Sequence, residues 1–127
     1  MPVFKFDPAQ RGLRKTLKEY EEFALRYIWE VGDDGASSGK TWRHVNERLG
    51  DGNSISRASV IFFLNRMVDE GVLGYNDATG KGGHHRIYMP KMDENEYKKY
   101  VVKTLYESVS KDFPEATREV LEEYSSA

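Results

Sequence analysis

The sequence predicts a mainly α-helical chain with one small β-hairpin, in the order helix, short helix, helix, hairpin, followed by two further helices. Three observations lead there. Apolar residues recur at helical spacing in five segments. Two short runs of β-formers, "VLGY" and "HRIYMP", flank the glycine-rich "NDATGKGGH". The 127 residues, 39% hydrophobic and 13% aromatic, suffice for one domain with its own core plus an accessory element, and too few remain for two full domains.

Residues 1–15 read as a basic arm, with Asp7-Pro8 as a short helix start and Gly12 as a breaker. "TLKE" supplies a capping box, Thr16 as N-cap and Glu19 at N3. From there Leu17, Tyr20, Ala24, Tyr27, Ile28 and Val31 form one helical stripe that ends near Gly32. Thr41 is placed to cap a short second helix carrying Trp42, Val45 and Leu49, with Gly50 as its stop. Ser54 or Ser56 starts a third helix that runs to Asp69 and closes at Gly71. Pro90 ends the second strand of the hairpin. Asp93 caps a long helix with Tyr97, Val101, Leu105 and Val109 on one stripe and Tyr100 beside it. Pro114 begins a last helix whose apolar side is Val120, Leu121 and Tyr124.

Composition narrows the function classes. Without cysteine there are no disulfides or thiolate metal sites. The start lacks the apolar core of a signal peptide and no run approaches membrane-spanning length, so a cytoplasmic protein with no membrane partner is expected. The net charge of -2 argues against nucleic acid, but its distribution is uneven. Lysine and arginine outnumber acids five to one in residues 1–18 and eight to five in 36–91; acids lead six to one in 19–35 and nine to five in 92–127. A mildly basic middle can therefore face phosphates while acidic helices face elsewhere.

Two motifs suggest other chemistry. "DDGASSGKT" is one glycine short of a phosphate-binding loop, Asp34 standing where the first glycine belongs. It follows an amphipathic helix instead of a buried strand, so it reads as a flexible loop closing on a capped helix, and no nucleotide is expected. His84 and His85, with His44 as a third imidazole, raise a metal site; adjacent strand residues point to opposite faces, so no metal or other cofactor is expected. No nucleophile, base and orienting set is apparent, which points away from an enzyme.

The order of elements is that of a winged helix-turn-helix, whose third helix enters the DNA major groove while the hairpin touches flanking backbone. With Val60 facing the core, Leu64 and Met67 lie within about 40° of it and Phe63 within about 60°. The opposite face holds Ala58, Ser59, Phe62, Asn65 and Arg66. Ser59 and Asn65 can bond base edges, Phe62 can touch a thymine methyl, and Ala58 completes the base-reading set. Arg57 and Arg66, with Lys81, His84, His85 and Arg86 of the hairpin, are the expected phosphate contacts. In the competing reading Phe62 packs under a neighbouring element and the polar residues are simply solvated.

"SRASVIFFLNRMVDEGVLGYNDATGKGGHHRIYMP" followed by "MDENEYKKYVVKTLYES" resembles the penicillinase-repressor family of BlaI/MecI type over roughly residues 23–106. The most specific pieces are "FLNRMVDEGVL" and "RIYMPKMDENEY", the second selecting this family among winged helices. The resemblance implies a homodimeric transcriptional repressor on a palindromic operator of double-stranded DNA. It implies a winged-helix domain, placed at 16–91, and a helical dimerisation segment, placed at 92–127, after the arm at 1–15 read from composition. Ser59 and Phe62 fall where family members place groove-facing threonines, Phe62 being a departure that loses a hydroxyl, and Arg66 matches the arginine after the helix middle. The basic arm and the "GDDGASSGK" loop are also departures, and the cysteine motif of copper-responsive relatives is absent. Dimerisation falls to Tyr97, Tyr100, Val101, Leu105, Val109, Val120, Leu121 and Tyr124, whose stripes exceed what lone helices leave exposed in water. Two rivals stand: a ligand-gated regulator of MarR or PadR kind, with an effector pocket lined by tyrosines near the dimer helices, and a winged helix used only as a protein-interaction module with Phe62 as anchor.

Overall fold

A computed structural model describes residues 4–80 and 83–125. Its elements are a 3-10 turn Gly12–Lys15, α1 (Glu19–Val31), a second 3-10 turn Gly32–Asp34, β1 (Ala36–Ser37), α2 (Ser38–Leu49), α3 (Arg57–Asp69), β2 (Leu73–Gly80), β3 (Gly83–Pro90), α4 (Glu94–Asp112) and α5 (Pro114–Ser125). The chain divides into two compact units, Met1–Asp93 and Glu94–Ala127. The fold is mainly helical with a small antiparallel sheet, a winged helix.

The first unit is built on the inner faces of α1, α2 and α3. Ala24, Leu25 and Ile28 of α1, Val45 of α2, and Val60, Phe63, Leu64 and Met67 of α3 are buried, as the helical spacing requires. Tyr20 meets Phe63 edge to face with ring centroids 6.4 Å apart. Val72, Leu73 and Tyr88 close the core from the hairpin side. Trp29 ties the far end of α1 to the segment after β3, its indole N–H donating to the Met92 carbonyl at 2.8 Å.

Several expectations change at the N-terminal end. Gly12 starts a 3-10 turn, with Leu13 buried inside it and Phe4 and Leu17 buried on either side, so the arm is packed onto the unit. Lys15 holds it, donating to the carbonyls of Pro8 and Gln10 at 3.0 and 2.6 Å. Thr16 does not cap α1, because its N–H and its hydroxyl both turn back to the Leu13 carbonyl. The N-cap is Lys18, whose backbone N–H donates to the carboxylate of Glu21 at 2.8 Å; Glu21, not Glu19, holds position N3. A lysine side chain has no acceptor to return, so only this half of the capping box is made.

The near phosphate loop is also resolved differently. Ala36–Ser37 form a strand that pairs antiparallel with β3, Ala36 opposite Tyr88 and Ser37 opposite Ile87, giving a sheet of order β1-β3-β2. Gly35 makes this possible: at φ +73°, a Cβ there would lie 2.6 Å from Ile87 Cγ2 and 2.9 Å from the Tyr88 carbonyl oxygen. Ser37, not Thr41, caps α2 by accepting the Lys40 N–H at 3.2 Å. Thr41 is buried inside the helix, its hydroxyl donating to the Ser37 carbonyl at 2.8 Å. Gly39, Lys40 and Thr41 thus belong to a helical turn, and the flexible loop expected there is a strand and that turn.

The hairpin is longer than its β-forming runs. Pairing continues through Asn76, Asp77, Ala78 and Thr79 to Gly80 opposite Gly83, so most of the expected connecting loop is strand. Backbone pairing across an antiparallel ladder outweighs the poor strand propensity of Asn, Asp and Gly at an exposed edge.

In the second unit α4 and α5 form a helical pair. Tyr97, expected at a partner helix, is instead buried in the single chain, its ring 6.0 Å from that of Tyr100. Of the expected stripe Val109 is exposed, and with it the large apolar residues Val102 and Tyr106 of α4; Phe113 continues their four-three-four spacing. Val120, Leu121 and Tyr124 of α5 are exposed.

Candidate nucleic-acid interface

The turn between α2 and α3 sets where α3 points, and two side chains of α2 hold it. The Trp42 indole N–H donates to the Ile55 carbonyl at 2.8 Å. Asn46, one turn on, donates to that same carbonyl at 3.3 Å and accepts the Ile55 N–H at 2.8 Å. Both backbone groups of Ile55 are therefore satisfied by α2, and the chain is fixed one residue before the α3 N-cap. Ser56 caps α3, accepting the Ser59 N–H at 3.0 Å and donating its hydroxyl proton to Ser59 Oγ at 2.9 Å. Trp42 and Asn46 were not singled out from sequence as positioning residues; their i, i+4 spacing before a turn was the available signal.

The outward face of α3 begins with Arg57 and Ala58, both exposed. Phe62 is 74% exposed, which excludes packing under a neighbouring element in this chain. A large aromatic ring left in water on a helix whose other face is fully buried marks a contact surface. Arg57 lies across the first turn of α2: a Cβ at Gly39 would stand 3.2 Å from its Nη2, so glycine there leaves room for the guanidinium.

Arg66, expected at a phosphate, lies among carboxylates in the free chain. It is 29% exposed and held between carboxylates, Nη1 lying 3.4 Å from Glu21 and Nε 3.5 Å from Glu70. Those acids, with Glu21 anchored at the start of α1, draw the guanidinium toward the α1 side of α3. Its partners within the fold are these two carboxylates. Burial pushes the nearby Tyr20 phenol above its ordinary value, with the Glu21 carboxylate adding to the rise.

The opposite flank of α3 meets the hairpin. Arg86 was expected near the projecting tip. Register places it opposite Asp77, well inward of the Gly80–Gly83 pair. Its guanidinium carbon lies 3.9 Å from the centroid of Tyr75 and its Nη1 donates to Asn65 Oδ1 at 3.0 Å. Tyr88 donates its hydroxyl to the same oxygen at 2.6 Å. Tyr75, which sequence reasoning missed, is a half-exposed platform for the arginine, worth about 0.5–1 kcal/mol at such a site. Burial pushes the Tyr88 phenol above its ordinary value of 10, which Arg86 partly offsets.

His84 and His85 are exposed on β3, and Lys81 lies outside the described residues. Among the described residues no group of three or more His, Cys, Asp or Glu could hold a metal ion. No helix among them is long and apolar enough to cross a membrane.

The interface therefore comprises an exposed helix face with an unburied aromatic, an arginine at its start, and a hairpin latched to the helix through one asparagine. A family model described as "Penicillinase repressor" matches residues 17–126, most of the chain. No curated protein matches it.

Proposed function

The chain belongs to the penicillinase-repressor family, which implies a DNA-binding transcriptional repressor, and from that premise we propose that it acts as a homodimer on a palindromic operator. In this reading α3 enters the major groove with Ala58, Ser59, Phe62 and Asn65 toward base edges. Arg57 and the hairpin residues His84, His85 and Arg86 meet phosphates. The proposed division of labour is a DNA-binding portion at 16–91, preceded by the arm at 1–15, and a dimerising portion at 92–127.

The observation that carries the reading is the exposure of Phe62. A ring with no intramolecular cover on the groove-facing side of α3 fits apolar contact with a thymine methyl, a contact a threonine at this position makes through its own methyl. For the dimer, support comes from the second unit. Tyr106, Val109, Phe113, Ala116, Val120 and Leu121 line an apolar groove of about 340 Å³ between α4 and α5, and most of these residues are exposed in the single chain. Such a surface on a helical pair is suited to a self-complementary contact across a two-fold axis. The ligand-gated alternative would use the same helix pair, where Tyr106, Ser110, Thr117, Arg118 and Glu122 bring polar groups to an adjoining groove.

Selection of bound fragments from the source genome tests the proposal. The expected product is two inverted half-sites with centres about one helical turn, roughly 10 base pairs, or a multiple of it, apart. Binding that shows no sequence preference, or a single unpaired site, would refute it.

A further inference from the structure

We infer that Asn65 is a donor-only specificity residue, its carboxamide locked in one orientation by Tyr88 and Arg86 so that it selects bases presenting acceptors. The inference rests on the proposed placement of α3 in the major groove.

An asparagine free to choose is a bidentate reader of adenine, accepting from N6 with its oxygen while donating to N7 with its nitrogen. Asn65 lacks that choice. Its oxygen accepts from the Tyr88 hydroxyl at 2.6 Å and from Arg86 Nη1 at 3.0 Å, which uses both lone pairs. The identity of the atom facing the hairpin follows from the partners: a guanidinium can only donate, so oxygen must face it. Rotating the amide by half a turn would set Nδ2 against Arg86, donor against donor. The Tyr88 phenol is protonated at neutral pH, as its ordinary value of 10 already requires, and can donate. Arg86 is itself fixed, stacked on Tyr75 at 3.9 Å.

What remains to Asn65 is the amide Nδ2 with its two hydrogens. Asn65 lies on the same flank of α3 as the exposed Ala58, about 20° away around the helix and two turns along it, and about 60° from Phe62 one turn before. Two donors fit guanine, whose O6 and N7 both accept, and thymine, through O4. Cytosine, which offers a donor at N4, is rejected, and adenine loses the bidentate pairing that normally favours asparagine. The hairpin thereby acts on sequence choice without touching the base itself. Specificity at this position depends on residues of β3.

The test uses the full-length protein and a randomised double-stranded DNA library, with base preference at each position read from the bound pool. Wild type is expected to favour guanine or thymine over cytosine at one position per half-site by about tenfold, the scale of one good base contact. Asn65→Asp is nearly the same shape but replaces the outward amide with an acceptor oxygen. It should move that one position toward cytosine or adenine and leave the others as they were. Tyr88→Phe frees one lone pair of Oδ1, and adenine should rise at the same position, by about threefold or more, on the same scale of one contact. Thermal melting of each variant identifies any that fails to fold, and the other then decides. Two folded variants, or the single folded one, with the wild-type ranking at every position overturn the inference while leaving the repressor reading intact. A wild-type protein that enriches no sequence at all overturns the groove placement and the inference with it.

Discussion

Glu21 joins three parts of the first unit, and its replacement gives a separable prediction. The residue is 4% exposed; one oxygen accepts the Lys18 N–H that starts α1, and the other faces Arg66 of α3 at 3.4 Å. Removing the N-terminal hydrogen bond costs about 1 kcal/mol, as other cap losses do. Breaking a fully buried ion pair costs about 3–5 kcal/mol, whereas exposed pairs are worth about 0–1 kcal/mol. Arg66 is 29% exposed and keeps Glu70 at 3.5 Å, so an intermediate loss of about 1–2 kcal/mol is expected. Glu21→Gln retains an oxygen for the Lys18 N–H and should lose only the ionic part; Glu21→Ala should lose both, about 2–3 kcal/mol. Urea titration followed by tryptophan fluorescence suits the measurement because Trp29 and Trp42 both lie in this unit. If Glu21→Gln matches wild type within about 0.5 kcal/mol, the ordinary scatter of surface changes, then Arg66 is not held by Glu21 and returns as a phosphate contact.

Four other outcomes are expected. Phe62→Ala should change stability by no more than about 0.5 kcal/mol, since the ring is exposed, while altering the sequences bound; unchanged preference with loss of a protein partner would make it an interaction anchor. The double change Val120→Glu with Leu121→Glu alters two exposed side chains, so a single chain should still fold, but sedimentation should report a monomer where wild type is a dimer at micromolar concentration. Lys40→Ala should leave an ATP or GTP titration as flat as that of wild type, because Lys40 sits in the first turn of α2; saturable binding lost with the lysine would contradict this. Tyr88, whose folded phenol pKa is raised above 10, contributes stability that is present below about pH 10 and lost as pH climbs through the folded value; Tyr88→Phe should therefore make the alkaline decline in melting temperature shallower, and an identical decline would remove Tyr88 as its source.

The sequence alone determined what repeats locally. The apolar face of α3 was readable because 3.6-residue periodicity and burial describe the same side of a helix, and Val60, Phe63, Leu64 and Met67 are buried together. Gly71 marked the end of that helix and its start was narrowed to Ser54 or Ser56, of which Ser56 is the cap, through capping and backbone chemistry that act within a turn. Tertiary structure decided whatever depends on residues far apart in the chain. β1 is too short to carry a pattern and exists because Gly35 lets the backbone reach β3. Tyr97 and Val102 look equivalent as apolar helix residues, yet one is buried and the other exposed, a distinction set by packing. Arg66 and Arg86 carry the same charge and were both assigned to phosphates from sequence. Without DNA one lies by Glu21 and Glu70 and the other is latched to Asn65 and stacked on Tyr75, because a guanidinium goes to the nearest acceptor or ring that folding supplies, and Arg86 remains placed for the proposed phosphate contact.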